Sequence, residues 1–385
     1  MQSNHHDVVV VGAGVIGLAI AWRLAARGMS VTLTDPAPAS GATGVAAGML
    51  APVNEARHGE EPLLKLSLHA AQQYREFAAE VSDAAGRSVG YRETATLAVA
   101  LDAGDAAALD DLYTFQKSIG LEVEKVPRRE CRKLEPLLAP SIHAGVLTGD
   151  RQVDPRRLAS ALLTAAEHSG ARILRDRVTA VLVQDGAAAG VRLDDGNTIA
   201  AQHVVLAAGT QTGRIDGIPD DIRQLVRPVK GQVVRLHVPT SYRPFLNHVV
   251  RGTVRGRPVY LVPREDGELV IGATQEERGD DQVTAGGVYE LLRDAHDLVP
   301  GITELPLAET AAALRPASPD NAPVIGPTEL PGLVVATGHF RNGILLAPVT
   351  ADAVAALLGD GALPGIVTDF SPQRFSTTSL EGAHT

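Results

Sequence analysis

The residues with the clearest chemical potential are three glycines. Gly12, Gly14 and Gly17 stand at G-x-G-x-x-G spacing directly after the β-branched run Val8 to Val11. Each has a mechanical use: Gly12 for a sharp turn, Gly14 for close approach of a pyrophosphate, Gly17 for close packing of helix on strand. A helix starting here presents unpaired N–H groups and a positive dipole end to that phosphate. Asp35 ends the next apolar run, Val31 to Thr34, where a carboxylate accepts hydrogen bonds from a ribose diol. The alternative is a glycine turn in a buried βαβ unit without ligand. The complete strand–helix–strand–acid order favours a dinucleotide site.

Three further groups are each open to two readings. Arg315, in Leu314-Arg315-Pro316, is preorganised by its proline to offer a bidentate fork to a small carboxylate, or else it pairs with a surface acid. Tyr260, in PVYLVP, either meets a substrate or satisfies a backbone group. The turn Gly338–Gly343 delivers a helix from Ile344 into a site, where its N-terminus would stabilise the anionic part of a reduced flavin, or else it is a plain cap. No H-E-x-x-H, metal-spaced carboxylate cluster or G-x-S-x-G occurs, and with one G-x-G-x-x-G a second dinucleotide domain is not supported.

The elements that must position these residues follow from periodicity. Strands are expected at 8–11, 31–34, 91–101, 171–175, 178–183, 189–194, 203–209 and 333–337. Helices are expected from Leu18 to a cap at Gly28, Pro62 to Ala85, Ala103 to Ile119, Pro155 to His168 behind Asp154, Gly287 to Leu298, and Ile344 to Leu358. Residues 36–52 read as a loop and then a short helix along a bound cofactor, with Thr43 in reach of a phosphate. Residues 226–238 and 245–275 are strand-rich and read as an antiparallel sheet of a second domain. Segment 127–136 reads as a solvated helix face, and His5 and His6 as a frayed terminus.

Composition narrows the class. The chain has 385 residues, 45% hydrophobic and 21% charged, as expected of a globular protein with a large core. A net charge of −10 argues against a nucleic-acid binder. The single cysteine, Cys131, excludes an internal disulfide and Cys-based metal sites. Residues 8–21 are too short for a membrane span, so no transmembrane segment is expected.

GAGVIGLAIA, SGATGVAAGMLAP, VDP at 153–155, LRPASPDNAPVIG at 314–326 and GHFRNGILLAP at 338–348 together resemble the FAD-dependent D-amino-acid oxidase superfamily. Within it the resemblance is nearest to the glycine oxidase (ThiO-type) group of thiamine biosynthesis. It runs nearly end to end, and GHFRNGILLAP is its most specific piece. It implies an α/β fold, with a Rossmann-type FAD-binding domain and an interleaved, mainly antiparallel substrate domain. The expected FAD domain comprises 1–85, 145–215 and 308–372, the substrate domain 86–144 and 216–307, with a mobile tail over 373–385.

The implied activity is oxidative deamination of glycine and other small amines, such as sarcosine and D-alanine. The products are an imine or 2-oxo acid, ammonia and hydrogen peroxide, with oxygen as acceptor and the thiazole synthase of thiamine biosynthesis as a partner. Carried onto this chain, Arg315 matches the carboxylate anchor, Tyr260 the active-site tyrosine and Arg341 an arginine beside the flavin. Met49 and Gln275 fall on the pocket wall, Gln275 where a relative has methionine. FAD contacts are expected from Gly12, Gly14, Val15, Ile16, Gly17, Asp35 and Thr43, from Ala47, Gly48 and Met49, and from Val178 through its backbone at the adenine. Gly209, Gly338, Arg341, Asn342, Gly343 and Ile344 complete the set. Cys131 is not where relatives attach flavin, so FAD is expected to be non-covalent. A cytoplasmic homo-oligomer without metal is expected. Other readings are a D-amino-acid dehydrogenase passing electrons to a quinone, a sarcosine or N-methyl amino acid oxidase, and a flavin-binding protein without amine-oxidising activity.

Overall fold

The computed structural model describes residues 5–375. Two eight-stranded sheets organise it. The first is centred on His5–Val11, which pairs in parallel with Val31–Thr34 on one side and Thr198–Leu206 on the other. Val8 and Val10 join the apolar cluster on one face, Val9 and Val11 that on the other, which is why the run shows no polar alternation. The strand starts earlier than expected. His5 and His6 pair with Ala200 and Ala201, because the neighbouring strand is long enough to meet their backbone groups.

The helices Val15–Ala26, Glu61–Ala85, Pro155–His168 and Gly343–Asp360 supply buried residues to one core over this sheet. Gly343–Asp360 is long and apolar enough to cross a membrane by length and composition; in this fold it is mostly buried. Pro348 lies inside it and cannot donate to the carbonyl of Ile344. The buried Tyr74 hydroxyl supplies the missing donor at 3.0 Å. Asp154 caps Pro155–His168 by accepting from the amides of Arg156 and Arg157, and Thr284 caps Ala285–Leu298, two residues earlier than periodicity placed its start.

The second sheet runs Leu307–Ala317, Arg227–His237, Glu268–Gly272, Arg257–Pro263, Val249–Val254, Thr96–Ala100, Ala144–Thr148, Val123–Pro127. Every pairing is antiparallel except Val249–Val254 with Thr96–Ala100. The strand expected over 91–101 contracts to Thr96–Ala100, since Arg92 makes only an isolated bridge to Gln152. The short helix expected at the end of 36–52 lies earlier, at Ala42–Val45. Met49–Leu50 instead pairs with Arg151–Gln152, which offers it a ladder. In 127–136 the helix Arg128–Leu134 buries Cys131 against the sheet, so its inner face is not solvated.

Sheet membership departs from the expected segments. Ala144–Thr148 and Leu307–Ala317 both belong to the second sheet, so divisions at 145 and 308 cut through paired strands. The expected tail also starts too early. Arg374 bonds both carboxylate oxygens of Asp320 and the carbonyl of Ala322, which fixes the turn Pro372–Phe375. Residues 376–385 of that expectation lie outside the described residues.

Candidate active site

The three glycines of the first turn separate into two kinds. Gly12 has φ +100°, and a Cβ there would stand 2.5 Å from the Ala207 carbonyl oxygen; at Gly17 it would stand 1.8 Å from that of Gly12. The protein's own backbone demands both. Gly14 is different: with φ −71°, a Cβ would meet only the Thr43 hydroxyl, at 3.3 Å. Nothing in the chain requires glycine there, so the room above it is a cradle that a side chain would fill and a pyrophosphate can use. Asp35 sets the turn, accepting from the Ala13 and Ala37 amides at 2.7 Å each, and its oxygens retain lone pairs for a ribose. Thr43 accepts from the Val15 amide at 3.0 Å, placing its hydroxyl at the helix N-terminus as expected of a phosphate neighbour. Ile16 follows in the same first turn.

Beyond Thr43 the chain is gripped from outside. The Gly44 carbonyl accepts from Arg156 and Arg235, that of Val45 from Arg235, and that of Ala47 from the buried Arg264. The Ala47 and Gly48 amides hydrogen-bond to no protein acceptor among the described residues, leaving them available to a ligand. At the other end of the cradle, Gly338 (φ +72°) turns the chain against Ser318 and Val324, and Asn342 precedes the helix from Gly343 and Ile344 without capping it through its side chain. The strand expected over 203–209 ends at Leu206, and Gly209 (φ +54°) opens the 3-10 turn Gly209–Arg214 with Pro316 as its neighbour. Val178 is buried at the start of its strand, with no contact to the other expected residues that shows its role.

The second sheet brings Arg315 and Tyr260 together by means of two strand glycines. Arg315 leans from the edge strand over Gly231, where a Cβ would come within 2.3 Å of its guanidinium. Tyr260 leans over Gly272, where a Cβ would come within 2.4 Å of its hydroxyl. Arg315 Nη1 donates to the carbonyls of Lys230 (3.3 Å) and Thr274 (3.2 Å). No carboxylate lies within ion-pair distance of it among the described residues, and burial pulls its pKa down. A desolvated guanidinium without a counter-ion is a binding site for one. Burial pushes the Tyr260 phenol up, against the pull of Arg315 and Arg251, so it stays a neutral donor. Met49, Ala47, Ala273 and Ala311 pack with Tyr260 in one small apolar cluster. Gln275 is exposed, next to the carbonyl that holds Arg315.

The edge strand also reaches the turn at 338–343: the Phe340 amide donates to the Pro316 carbonyl at 2.8 Å, and Ala317 bridges His339. Arg341 pairs with Glu55 at 3.4 Å, and Glu55 pairs with Arg251 at 2.7 Å. Although burial opposes it, these two guanidiniums hold the Glu55 carboxyl below its usual range. Asp150 is bonded by Asn54 and Thr148, and burial pushes its carboxyl up. His339 is buried, bonded to Thr350 at 3.0 Å, and burial pulls its pKa down to about 3. Glu55, Arg251, Asp150, Gly231 and Gly272 escaped the sequence reading. Only the glycines left a signal, as breaks in apolar strands.

A dinucleotide cradle on one sheet and, on the other, an arginine with no carboxylate partner among the described residues fit an oxidoreductase with a dinucleotide cofactor. Residues 7–357 match the family described as FAD dependent oxidoreductase (DAO), and the chain belongs to that family. It is 35% identical to a glycine oxidase of Geobacillus kaustophilus, over 93% of this chain and 94% of that one. It is 33% identical to the bifunctional protein ThiO/ThiG of Nostoc sp., over 96% of this chain but only 55% of the relative, so it spans about half of that longer protein. The crystal structure of the Geobacillus kaustophilus glycine oxidase superimposes with a TM-score of 0.87, at 34% identity, covering 97% of this chain and 99% of that one. An iminodiacetate oxidase from Chelativorans sp. superimposes at 0.84 with 26% identity, covering 95% and 98%.

Proposed function

We propose that this protein is an oxidase of glycine and other small amines, with sarcosine and D-alanine as secondary substrates. The observation that carries the reading is Arg315, desolvated, without a carboxylate partner among the described residues, and facing Tyr260. The cradle around Gly14, Thr43 and Asp35 would hold FAD non-covalently, and FAD would supply the two-electron oxidation of an amine to an imine with oxygen as the final acceptor.

The chain's own residues bind and orient. Arg315 takes the substrate carboxylate, and the neutral Tyr260 hydroxyl donates to the same group. The apolar cluster of Met49, Ala47 and Ala273 packs against Tyr260 and gives the substrate an apolar wall. Neither Glu55 nor His339 is a base suited to neutral pH, and Asp150, which burial pushes up, is taken by Asn54 and Thr148. Glu55 is held acidic by its arginines, and His339 is buried and already neutral. Positioning therefore supplies the rate, and the amine arrives deprotonated. Consequently kcat/KM for glycine is expected to rise with pH until the substrate ammonium titrates, with no inflection from a protein base. A group titrating near neutrality in that profile contradicts the assignment.

We extend the reading to an imine that feeds thiazole synthase, supported by the likeness to the bifunctional ThiO/ThiG protein. The deciding experiment is anaerobic bleaching of the holoenzyme with glycine, sarcosine, D-alanine and L-alanine, followed by peroxide assay in air. Bleaching by glycine with peroxide release is expected. Bleaching without peroxide would indicate a dehydrogenase, and no bleaching by any of the four would overturn the function.

A further inference from the structure

We propose that Lys230 is a positioning residue for substrate carboxylates, acting through the segment 274–284 to fix Arg315. The proposal rests on the reading of Arg315 as the carboxylate anchor.

Lys230, Gly231 and Gln232 are successive residues of one strand, so the outer two face one side of the sheet and the glycine the other. On the glycine side lies the Arg315 guanidinium. On the opposite side Lys230 is 0% exposed, its Nζ 2.7 Å from Asp280 Oδ1. Gln232 Nε2 donates to Glu276 Oε1 (2.7 Å) and Thr284 Oγ1 (3.0 Å), and its Oε1 accepts from the Thr284 amide (2.8 Å). Even its seat is prepared, for a Cβ at Gly287 would stand 2.4 Å from the Gln232 amide nitrogen.

Both side chains therefore grip one segment, which has no helix or named strand of its own. That segment supplies half of the cradle for Arg315. Glu276 exchanges backbone bonds with Lys230 in both directions, at 2.8 and 3.0 Å. Two residues before it, the Thr274 carbonyl accepts from Arg315 Nη1, as does the carbonyl of Lys230 itself. The fork is thus held between one carbonyl on the sheet and one on a segment that is pinned by the buried ammonium. A methionine could fill the Lys230 position without burying a charge, so stability alone is a poor reason for lysine there. Fixing the segment against Arg315 is the role that the contacts supply.

The test measures binding of glycolate to the oxidised holoenzyme through the flavin absorbance change, together with kcat and KM for glycine and for methylamine. Lys230→Met and Asp280→Asn are each expected to weaken glycolate and raise KM for glycine roughly tenfold, the effect of one lost charge-assisted hydrogen bond. The kcat for glycine and the KM for methylamine should remain within about twofold, because neither reports on the carboxylate. Lys230→Arg, which keeps the pair with Asp280, should restore most of the loss. Asp280 is partly exposed, so its variant reports even if Lys230→Met does not fold. Unchanged glycolate binding in Asp280→Asn, or equal losses for glycine and methylamine, overturns the proposal. If Arg315→Ala also leaves glycolate binding unchanged, the reading of the site fails with it. If only Arg315→Ala weakens glycolate, the site stands and the role of Lys230 falls.

Discussion

Arg315 owes its availability to residues that lack side chains. Replacing Gly231 by alanine would set a methyl group 2.3 Å from Nη1 and Nη2, and the guanidinium would have to lift off its two carbonyls. Gly231→Ala is therefore expected to raise KM for glycine while leaving flavin content unchanged, which absorbance and steady-state kinetics would show together. Arg315→Ala should go further, weakening carboxylate substrates by roughly 2–5 kcal/mol in a desolvated site while sparing plain amines. Equal loss on both substrate types would remove Arg315 from the carboxylate. Arg315 and Tyr260 were marked in the sequence as candidates, each with two readings, by their local motifs and the family resemblance. Gly231, Gly272 and the Glu55–Arg251 pair were not, since their roles depend on which strands lie side by side. Arg251 faces Tyr260 across a ladder, and spacing along the chain does not encode that register.

At the scale of elements, the first βαβ unit was the most readable part of the chain, because every signal in it is short-range. Gly14→Val tests what its turn is for. The backbone at Gly14 suits an L-residue, and its only close neighbour is a hydroxyl, so the apoprotein should fold with a near-normal melting temperature. Flavin should be lost, giving colourless protein; retention of a full complement of FAD would show that the pyrophosphate lies elsewhere. The helix Gly343–Asp360 illustrates the opposite case. Its proline signals a break, yet the helix continues because Tyr74 from a distant helix takes the freed carbonyl of Ile344. Tyr74→Phe leaves that buried acceptor unsatisfied and should destabilise the fold by about 1–3 kcal/mol. Denaturant titration would show the loss, and an unchanged midpoint would mean that another donor replaces the hydroxyl. The misread strands have the same origin: Thr96–Ala100 ends where its ladder ends, which periodicity over 91–101 does not show.

At the scale of the molecule, the two sheets were foreseen as classes, parallel-rich and antiparallel, but the way they join was not. The join is polar. Arg235 from the second sheet and Arg264 just after its strand Arg257–Pro263, both buried, reach the carbonyls of Gly44, Val45 and Ala47 in and after the short helix Ala42–Val45. Arg264 also donates to Gln152 Oε1 and the Val153 carbonyl, at 2.9 Å each. Such a contact couples the substrate sheet to the segment whose Ala47 and Gly48 amides are free for the cofactor. Arg264→Met would leave three acceptors without this donor, at about 1–3 kcal/mol for each that stays buried and unpaired. The expected result is a lower melting temperature for apoprotein and holoprotein, a weaker FAD dissociation constant, and a smaller rise in melting temperature on adding FAD. Arg156→Met is the internal comparison. Arg156 also reaches the Gly44 carbonyl, but its side chain and its Glu309 partner are both over a third exposed, so its loss should shift stability by less than about 1 kcal/mol. If the two variants behave alike, burial at the join is not what ties cofactor binding to the second sheet. If Arg264→Met alone loosens FAD, the substrate sheet helps to set how tightly the flavin is held.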